Sequence, residues 1–203
     1  MRIQMTPKHG QTETVDSVCR RLQMAADTIS GLRERAADIV AMCDVVVQCL
    51  KNGRKVLTAG NGGSAAEALH MAEELTGRFR GNRVSLPGLC LAADATTLTC
   101  IANDFGYDVV FSRQVEGLGV AGDVLVLFTS SGNSPNLIAA AATARVRGLT
   151  VIALSGKGGG AMAGKADLEL IVPGTLTEHI QEAHQVVMHI ILNAVEAAFP
   201  PAV

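Results

Sequence analysis

The sequence predicts an α/β three-layer domain built on a five-stranded parallel sheet, and three observations predict it. Short, continuously apolar runs alternate with longer amphipathic segments. The apolar runs lack an alternating polar face, as expected of strands covered by helices on both sides. The linkers are short, and no repeat or low-complexity tract interrupts the 203 residues, a length that suits one domain with a sizeable core.

The elements follow in order. Glu13 to Asn52 predicts helix, broken near Ser30-Gly31. Val15, Val18, Leu22 and Ala25 recur at three- and four-residue spacing, Ile39, Met42, Val46 and Leu50 form a second stripe, and Gly53 is a C-terminal stop. This segment, about residues 12–52, precedes the first strand. It is an added layer that either covers the sheet or pairs with another subunit. Lys55 to Ala59 predicts the first strand and Ser64 to Thr76 a helix. Leu89 to Ala92, Asp123 to Phe128, Thr150 to Leu154 and Leu168 to Val172 supply four more strands. Pro135 to Arg147 and Glu178 to Ala198 predict helices. Ligands of such sheets sit at the carboxyl ends of the strands.

Composition narrows the function. Trp is absent and aromatics are few, so the core is aliphatic. A net charge of −2 gives no electrostatic case for nucleic acid or an anionic membrane. An anionic ligand must therefore be held by local groups such as backbone N–H donors. The five cysteines, Cys19, Cys43, Cys49, Cys90 and Cys100, are odd in number and form no CxxC pair, which predicts buried thiols rather than a disulfide framework. Met1 to Gln11 has no apolar core of a signal peptide, and no apolar run approaches the ~18 residues of a membrane span. A cytoplasmic location is expected.

Two strand ends carry the same chemistry. Val56 to Ala59 runs into Gly60-Asn61-Gly62-Gly63-Ser64, and Val126 to Phe128 runs into Thr129-Ser130-Ser131-Gly132-Asn133-Ser134. Each delivers small residues, hydroxyls and exposed N–H groups to a helix N-terminus, which suits a phosphate or a polyol. A pair of tight turns with Ser or Asn caps is the plainer reading. Two such hydroxyl-rich loops at strand ends favour a ligand. Gly60, Gly62 and Ala65 also meet the loose dinucleotide pattern. The acidic residue that pattern wants about 20 residues on is missing, because Asp94 lies more than 30 away.

Behind the first loop, Glu67, His70 and Glu74 share one stripe of the predicted helix. His70 and Glu74, four apart, suit two ligands of one metal or a base and its partner. The alternative is a solvated face of Glu67, His70, Glu73 and Glu74. The last helix carries Glu178, Gln181, Gln185 and His189 beside an apolar surface of Leu176, Ile180, Ala183, Val187, Ile190 and Ile191.

The run Gly60 to Phe79 resembles the signature of the sedoheptulose-7-phosphate isomerases, or phosphoheptose isomerases, of the sugar isomerase (SIS) superfamily. Asn103 to Tyr107, Phe111-Ser112-Arg113, Thr129 to Ser134, and Ile180-Gln181-Glu182 with His189 match further blocks in order. The resemblance covers nearly the whole chain, less well in the first 30 residues, and implies a single SIS domain, 1–203, with a flavodoxin-like sheet. It implies interconversion of sedoheptulose 7-phosphate and D-glycero-D-manno-heptose 7-phosphate, the first step towards the heptose of bacterial lipopolysaccharide. By the same resemblance Asn61, Gly62, Gly63, Ser64, Asn103, Asp104, Thr129, Ser130, Ser131, Ser134, Glu74 and Gln181 bind substrate. Glu74 and His189 are the acid/base pair, and His70, Glu74, Gln181 and His189 hold one zinc per subunit of a homotetramer with interfacial sites. Glu178 stands where the family often has Asp, and Thr129 and Ser130 exchange hydroxyl types with it. A non-catalytic SIS regulator that senses sugar phosphates is the competing class. It would need the loops but not Glu74 and His189. Gln181 and His189 are eight apart, about 12 Å along a straight helix. Sharing one ion would therefore require a bent helix, steeply converging side chains or a second protomer.

Overall fold

The computed structural model describes residues 13–200; residues 1–12 and 201–203 of the expected domain lie outside it. Five strands, β1 (Val56–Gly60), β2 (Gly88–Cys90), β3 (Val124–Phe128), β4 (Thr150–Ser155) and β5 (Leu168–Ile171), form one parallel sheet in the order β2-β1-β3-β4-β5. The helices are α1 (Val15–Gly31), α2 (Ala36–Lys51), α3 (Gly63–Thr76), α4 (Ala95–Phe105), α5 (Ser112–Leu118), α6 (Pro135–Val146) and α7 (Thr177–Ala198).

Every residue of β1 and β3 is buried, which is why their sequences show no alternation. Successive side chains leave a strand on opposite faces, and here both faces meet helices. Val56, Val124, Val126, Phe128, Ile152 and Leu154 pack with Met42, Met71, Leu75, Val187 and Ile191 from α2, α3 and α7. Leu57, Leu125, Leu127 and Val151 pack with Phe111, Val115, Leu137 and Ala140 on the other side, where α5 and α6 lie. The chain passes from β1 outward to β2 and then returns to β3 on β1's other flank. The strand order therefore reverses between β1 and β3, and the crevice at their carboxyl ends is the switch point where such sheets bind ligands.

The helical N-terminal segment divides as expected. A short 3-10 turn, Leu32–Arg35, separates α1 from α2, and Gly53 ends the segment with φ +68°. The α2 stripe Ile39, Met42, Val46 and Leu50 is buried against the sheet. α1 buries no residue and leaves Val15 80 % and Leu22 66 % exposed. α2 is thus the covering layer, and α1, which packs along α7, keeps its apolar stripe open.

Two helices go beyond the sequence reading. α4 contains three threonines and a cysteine, poor helix formers, and is started by Asp94. The Asp94 carboxylate accepts from Thr96 N at 2.8 Å and Thr97 N at 3.2 Å. α5 is seven residues long, too short for its periodicity to stand out. The five cysteines are all free, as expected, but Cys19 and Cys100 are exposed and only Cys43, Cys49 and Cys90 are buried. Burial, with the charge of Asp123 beside it, pushes the Cys49 thiol up to about 11. Among the described residues no helix is long and apolar enough to cross a membrane.

Candidate active site at the strand ends

The first loop leaves β1 at Gly60 and starts α3 at Gly63. No side chain caps α3, so its positive end is open to an anion rather than closed by a local acceptor. Gly63 packs closely against α7: a Cβ there would fall 2.5 Å from Gln181 Nε2 and push that amide aside. The same amide reaches Ser64 Oγ at 3.5 Å, tying the start of α3 to α7. Asn61 is turned into the fold. Its amide pairs with that of buried Asn136, at 3.0 and 2.9 Å, and its Oδ1 also accepts from Tyr107 Oη at 2.9 Å.

The second loop is built the same way. Ser134 precedes α6 without a side-chain capping bond, and Pro135 occupies the first turn. Thr129 Oγ1 accepts from Gly132 N at 3.1 Å and Ser131 Oγ from Asn133 N at 3.2 Å. Ser130 and Ser134 stay half-buried at the crevice. A third loop, Gly156 to Met162 after β4, locks onto this one. Met162 N donates to Gly132 O at 2.8 Å, and Ala161 N to Asn133 Oδ1 at 2.9 Å. Gly132 has φ +67°, and a Cβ on it would lie 1.8 Å from Gly159 O, so only glycine allows the two loops to touch. Neither Asn136 nor this third loop stood out in the sequence reading, although the run Gly158-Gly159-Gly160 was a signal.

The chemistry-bearing side chains lie where α3 meets α7. His70 Nε2 is 3.2 Å from Glu74 Oε1, and His70 Nδ1 is 3.1 Å from Gln185 Oε1. The His189 ring stands edge-on to His70 at 5.4 Å and stacks on Phe79 at 5.8 Å. Desolvation, then the neighbouring His70 with Arg80, holds the His189 imidazole below its usual value against the pull of Glu74. It is therefore a neutral ring at pH 7, with one N–H donor and one acceptor. A cavity of about 470 Å³ opens beside it, lined by Arg80, Val186, His189, Ile190 and Asn193.

The expected residues do not all converge. His70, Glu74 and His189 come together. α7 is one continuous helix, and Gln181 lies two turns before His189, on Ser64 rather than on His70. Gln185, between them, makes the contact with His70. Asn103 and Asp104 are exposed near the end of α4 and hydrogen-bond to each other. Tyr107, just beyond them, is what reaches the first loop. The solvated-face alternative fails at Glu67, which is 3 % exposed and 3.8 Å from Nδ1 of the fully buried His184. Glu73, by contrast, is exposed. Asp94, the distant acidic residue of the dinucleotide pattern, spends its oxygens on capping α4.

A metal is compatible with this cluster. His70, Glu73 and Glu74 each offer a ligand atom, all within 4.8 Å of one another. When His70 Nδ1 donates to Gln185 Oε1, the lone pair on Nε2 faces a carboxylate oxygen, an arrangement that calls for a cation or a proton between them.

Neutral donors at two helix starts, with a carboxylate and imidazoles on the helix pair behind them, suit a phosphorylated substrate undergoing proton transfer. The SIS domain family model matches residues 22–156. A phosphoheptose isomerase of Campylobacter concisus is 52 % identical over 157 residues, covering 77 % of this chain and 83 % of that protein. One from Vibrio cholerae is 45 % identical over 185 residues, covering 89 % and 96 %. Among solved structures, a phosphoheptose isomerase from Neisseria gonorrhoeae superposes with a TM-score of 0.85 at 38 % identity, covering 90 % of this chain and 98 % of that one. One from Francisella tularensis gives 0.88 at 31 %, covering 92 % and 100 %. The fold, the strand-end loops and these relatives agree: the chain belongs to the phosphoheptose isomerases of the SIS domain family.

Proposed function

We propose that the chain is an aldose–ketose isomerase that converts sedoheptulose 7-phosphate to D-glycero-D-manno-heptose 7-phosphate, and that it does so in the cytoplasm to supply heptose for lipopolysaccharide. The observation that carries the reading is the meeting of His70 and Glu74 on α3 with His189 on α7, beside two uncapped helix starts. A sugar-phosphate sensor needs the loops alone. Identity to the isomerases over most of the chain adds to the case for the enzyme.

In this reading the phosphate sits on Ser130, Ser131, Ser134 and the backbone of the two loops, with Gly62, Gly63 and Ser64 along the sugar and Asn103 and Asp104 at the rim. Aldose–ketose exchange moves a proton between C1 and C2. Glu74 takes the carbon-bound proton, and His189, as a neutral imidazole, donates to the oxygen that gains charge. Gln185 orients His70, and the Gln181 amide holds Ser64 in place and turns its remaining acceptor to the substrate. Zinc, held by His70, Glu74 and His189, would polarise the carbonyl and stabilise the enediolate; Gln181, two turns before His189 on the continuous α7, would complete the family's ligand set only from a second protomer. Tight binding of Glu74 to a metal makes it a poorer base, so the two roles compete. The open apolar stripe of α1 supports a further element of the reading, a homotetramer.

The direct test is an isomerase assay with sedoheptulose 7-phosphate, with and without a chelator. The expected result is turnover that falls on chelation and returns with zinc. Binding of the sugar phosphate without turnover by the metal-loaded protein would favour the sensor.

A further inference from the structure

We propose that Lys157 is a further substrate-binding residue, the cation that meets the phosphate group of the sugar phosphate. The proposal rests on the sugar-phosphate reading above and deepens it. The two loops assigned to the phosphate offer only neutral donors: Asn61, Gly62, Gly63 and Ser64 on one side, Thr129 to Ser134 on the other. A phosphate monoester carries about −1.5 to −2 charges at neutral pH. Of the segments that follow the five strands, only the one after β4 contains a lysine or arginine; it has two, Lys157 directly after the carboxyl end of β4 and Lys165 three residues before β5, at the opposite end of the sheet.

Three features place that charge at the crevice. β4 pairs directly with β3, so its loop borders the serine loop, and Met162 N and Ala161 N pin the two together. Lys157 Nζ donates to Thr177 Oγ1 at 2.8 Å, at the first residue of α7. One turn on, Gln181 touches Gly63 and Ser64. The ammonium therefore stands on the short arc that joins the two phosphate-binding loops.

Its surroundings leave it available. The residue is exposed and has no carboxylate partner within salt-bridge distance among the described residues, unlike Lys55, which is paired with Asp123 at 2.6 Å. Glu178, in the first turn of α7, is the nearest acidic residue in sequence to the Thr177 anchor and is itself exposed. An ammonium beside the positive end of a 22-residue helix meets an unfavourable field, which a bound dianion would reverse.

The backbone adds an independent argument. Lys157, with φ +50°, is the single non-glycine residue with positive φ among the described residues, and it heads a run in which Gly158, Gly159 and Gly160 also have positive φ. A side chain in that conformation costs on the order of 1 kcal/mol that glycine avoids. A residue serving only the turn would be destabilising there without compensation.

That conformation supplies the test. Lys157→Met, Lys157→Arg and Lys157→Gly are compared with the unaltered protein by isomerase kinetics, by titration with inorganic phosphate and by thermal melting. The expected loss of one charge-assisted contact is about tenfold in KM and in phosphate affinity for Met and Gly, with kcat within about twofold. Arg should stay within about threefold of Lys, because it restores the charge. Gly should show the same loss of affinity while melting at a higher temperature, which a merely structural tether to Thr177 would not do. Equal phosphate affinity in the unaltered, Met and Gly proteins, or no phosphate binding by the unaltered one, overturns the proposal. Phosphate binding that depends on Lys157, in a protein that does not isomerise sedoheptulose 7-phosphate, would sink the isomerase reading and leave this one standing.

Discussion

The strand-end loops and the α3–α7 helix pair make up the candidate site and are built by opposite means. In the loops, position is set by backbone. Gly132 permits an approach to Gly159 that no Cβ would survive, Gly63 leaves room for the Gln181 amide, and hydroxyls and an amide accept from neighbouring N–H groups. In the helix pair, position is set by side chains, with His70 fixed between Glu74 and Gln185 and His189 wedged between His70 and Phe79. The difference teaches where each kind of damage shows. A backbone-built cradle fails by losing its fold, whereas a side-chain-built centre fails by losing its chemistry while the fold stands.

The sharpest way to break that distinction is at Glu74. Glu74→Gln keeps the shape and removes the proposed base, so kcat should fall about 10³-fold with little change in melting temperature, and His189→Gln about 10²-fold. Near-normal turnover in either variant would remove that residue from the acid/base pair. Gly132→Ala should do the reverse. It combines a clash at Gly159 O with a positive φ, and should lower stability by about 3 kcal/mol, read by urea denaturation. A well-folded Gly132→Ala protein with normal KM would show that the loops need not touch.

Asp123, at the amino end of the sheet, is a control outside both regions. Burial pushes its carboxyl up, but bonds from Lys55 Nζ, Lys55 N and Val120 N outweigh this and leave it below its ordinary 3.8. A carboxyl lowered by folding stabilises fully above its unfolded value and loses that contribution as pH falls through the folded one. Asp123→Asn should therefore cost about 2 kcal/mol at pH 7 and progressively less than that as the unaltered protein is acidified below about pH 4. A pH-independent difference would refute the linkage. The smallest effect is expected at Ser130→Ala, one neutral hydroxyl among several donors. KM should rise about fivefold with kcat unchanged.

The same contrast explains what the sequence made legible. The strands, α3 and α7 were readable because burial on both faces, or one apolar stripe, writes itself into consecutive residues. The two loops were readable because glycine and serine runs after strands are local signals. His70 and Glu74 were readable as a pair because one helical turn separates them. The partners across the α3–α7 interface were not. Nothing local says that Gln185 rather than Gln181 meets His70, or that Glu67 points inward to His184, because both depend on how two helices more than 100 residues apart in sequence rotate against each other. α4 was hidden by its threonines, and Asn136 by a position in a helix start that usually means capping.

The amide pair of Asn61 and Asn136 also bears on how the protein ages. Asn61 precedes Gly62, and an asparagine followed by glycine is the dipeptide whose side-chain carbonyl is most open to attack by the next backbone nitrogen, the route to deamidation. Here that side chain is held by Asn136 and by the Tyr107 hydroxyl, so the ring closure must first break three hydrogen bonds. Its product would set a carboxylate against the Asn136 carbonyl oxygen and add a negative charge at the crevice proposed to hold the phosphate. Tyr107→Phe, harmless to the chemistry on the helices, should therefore shorten the working life of stored enzyme.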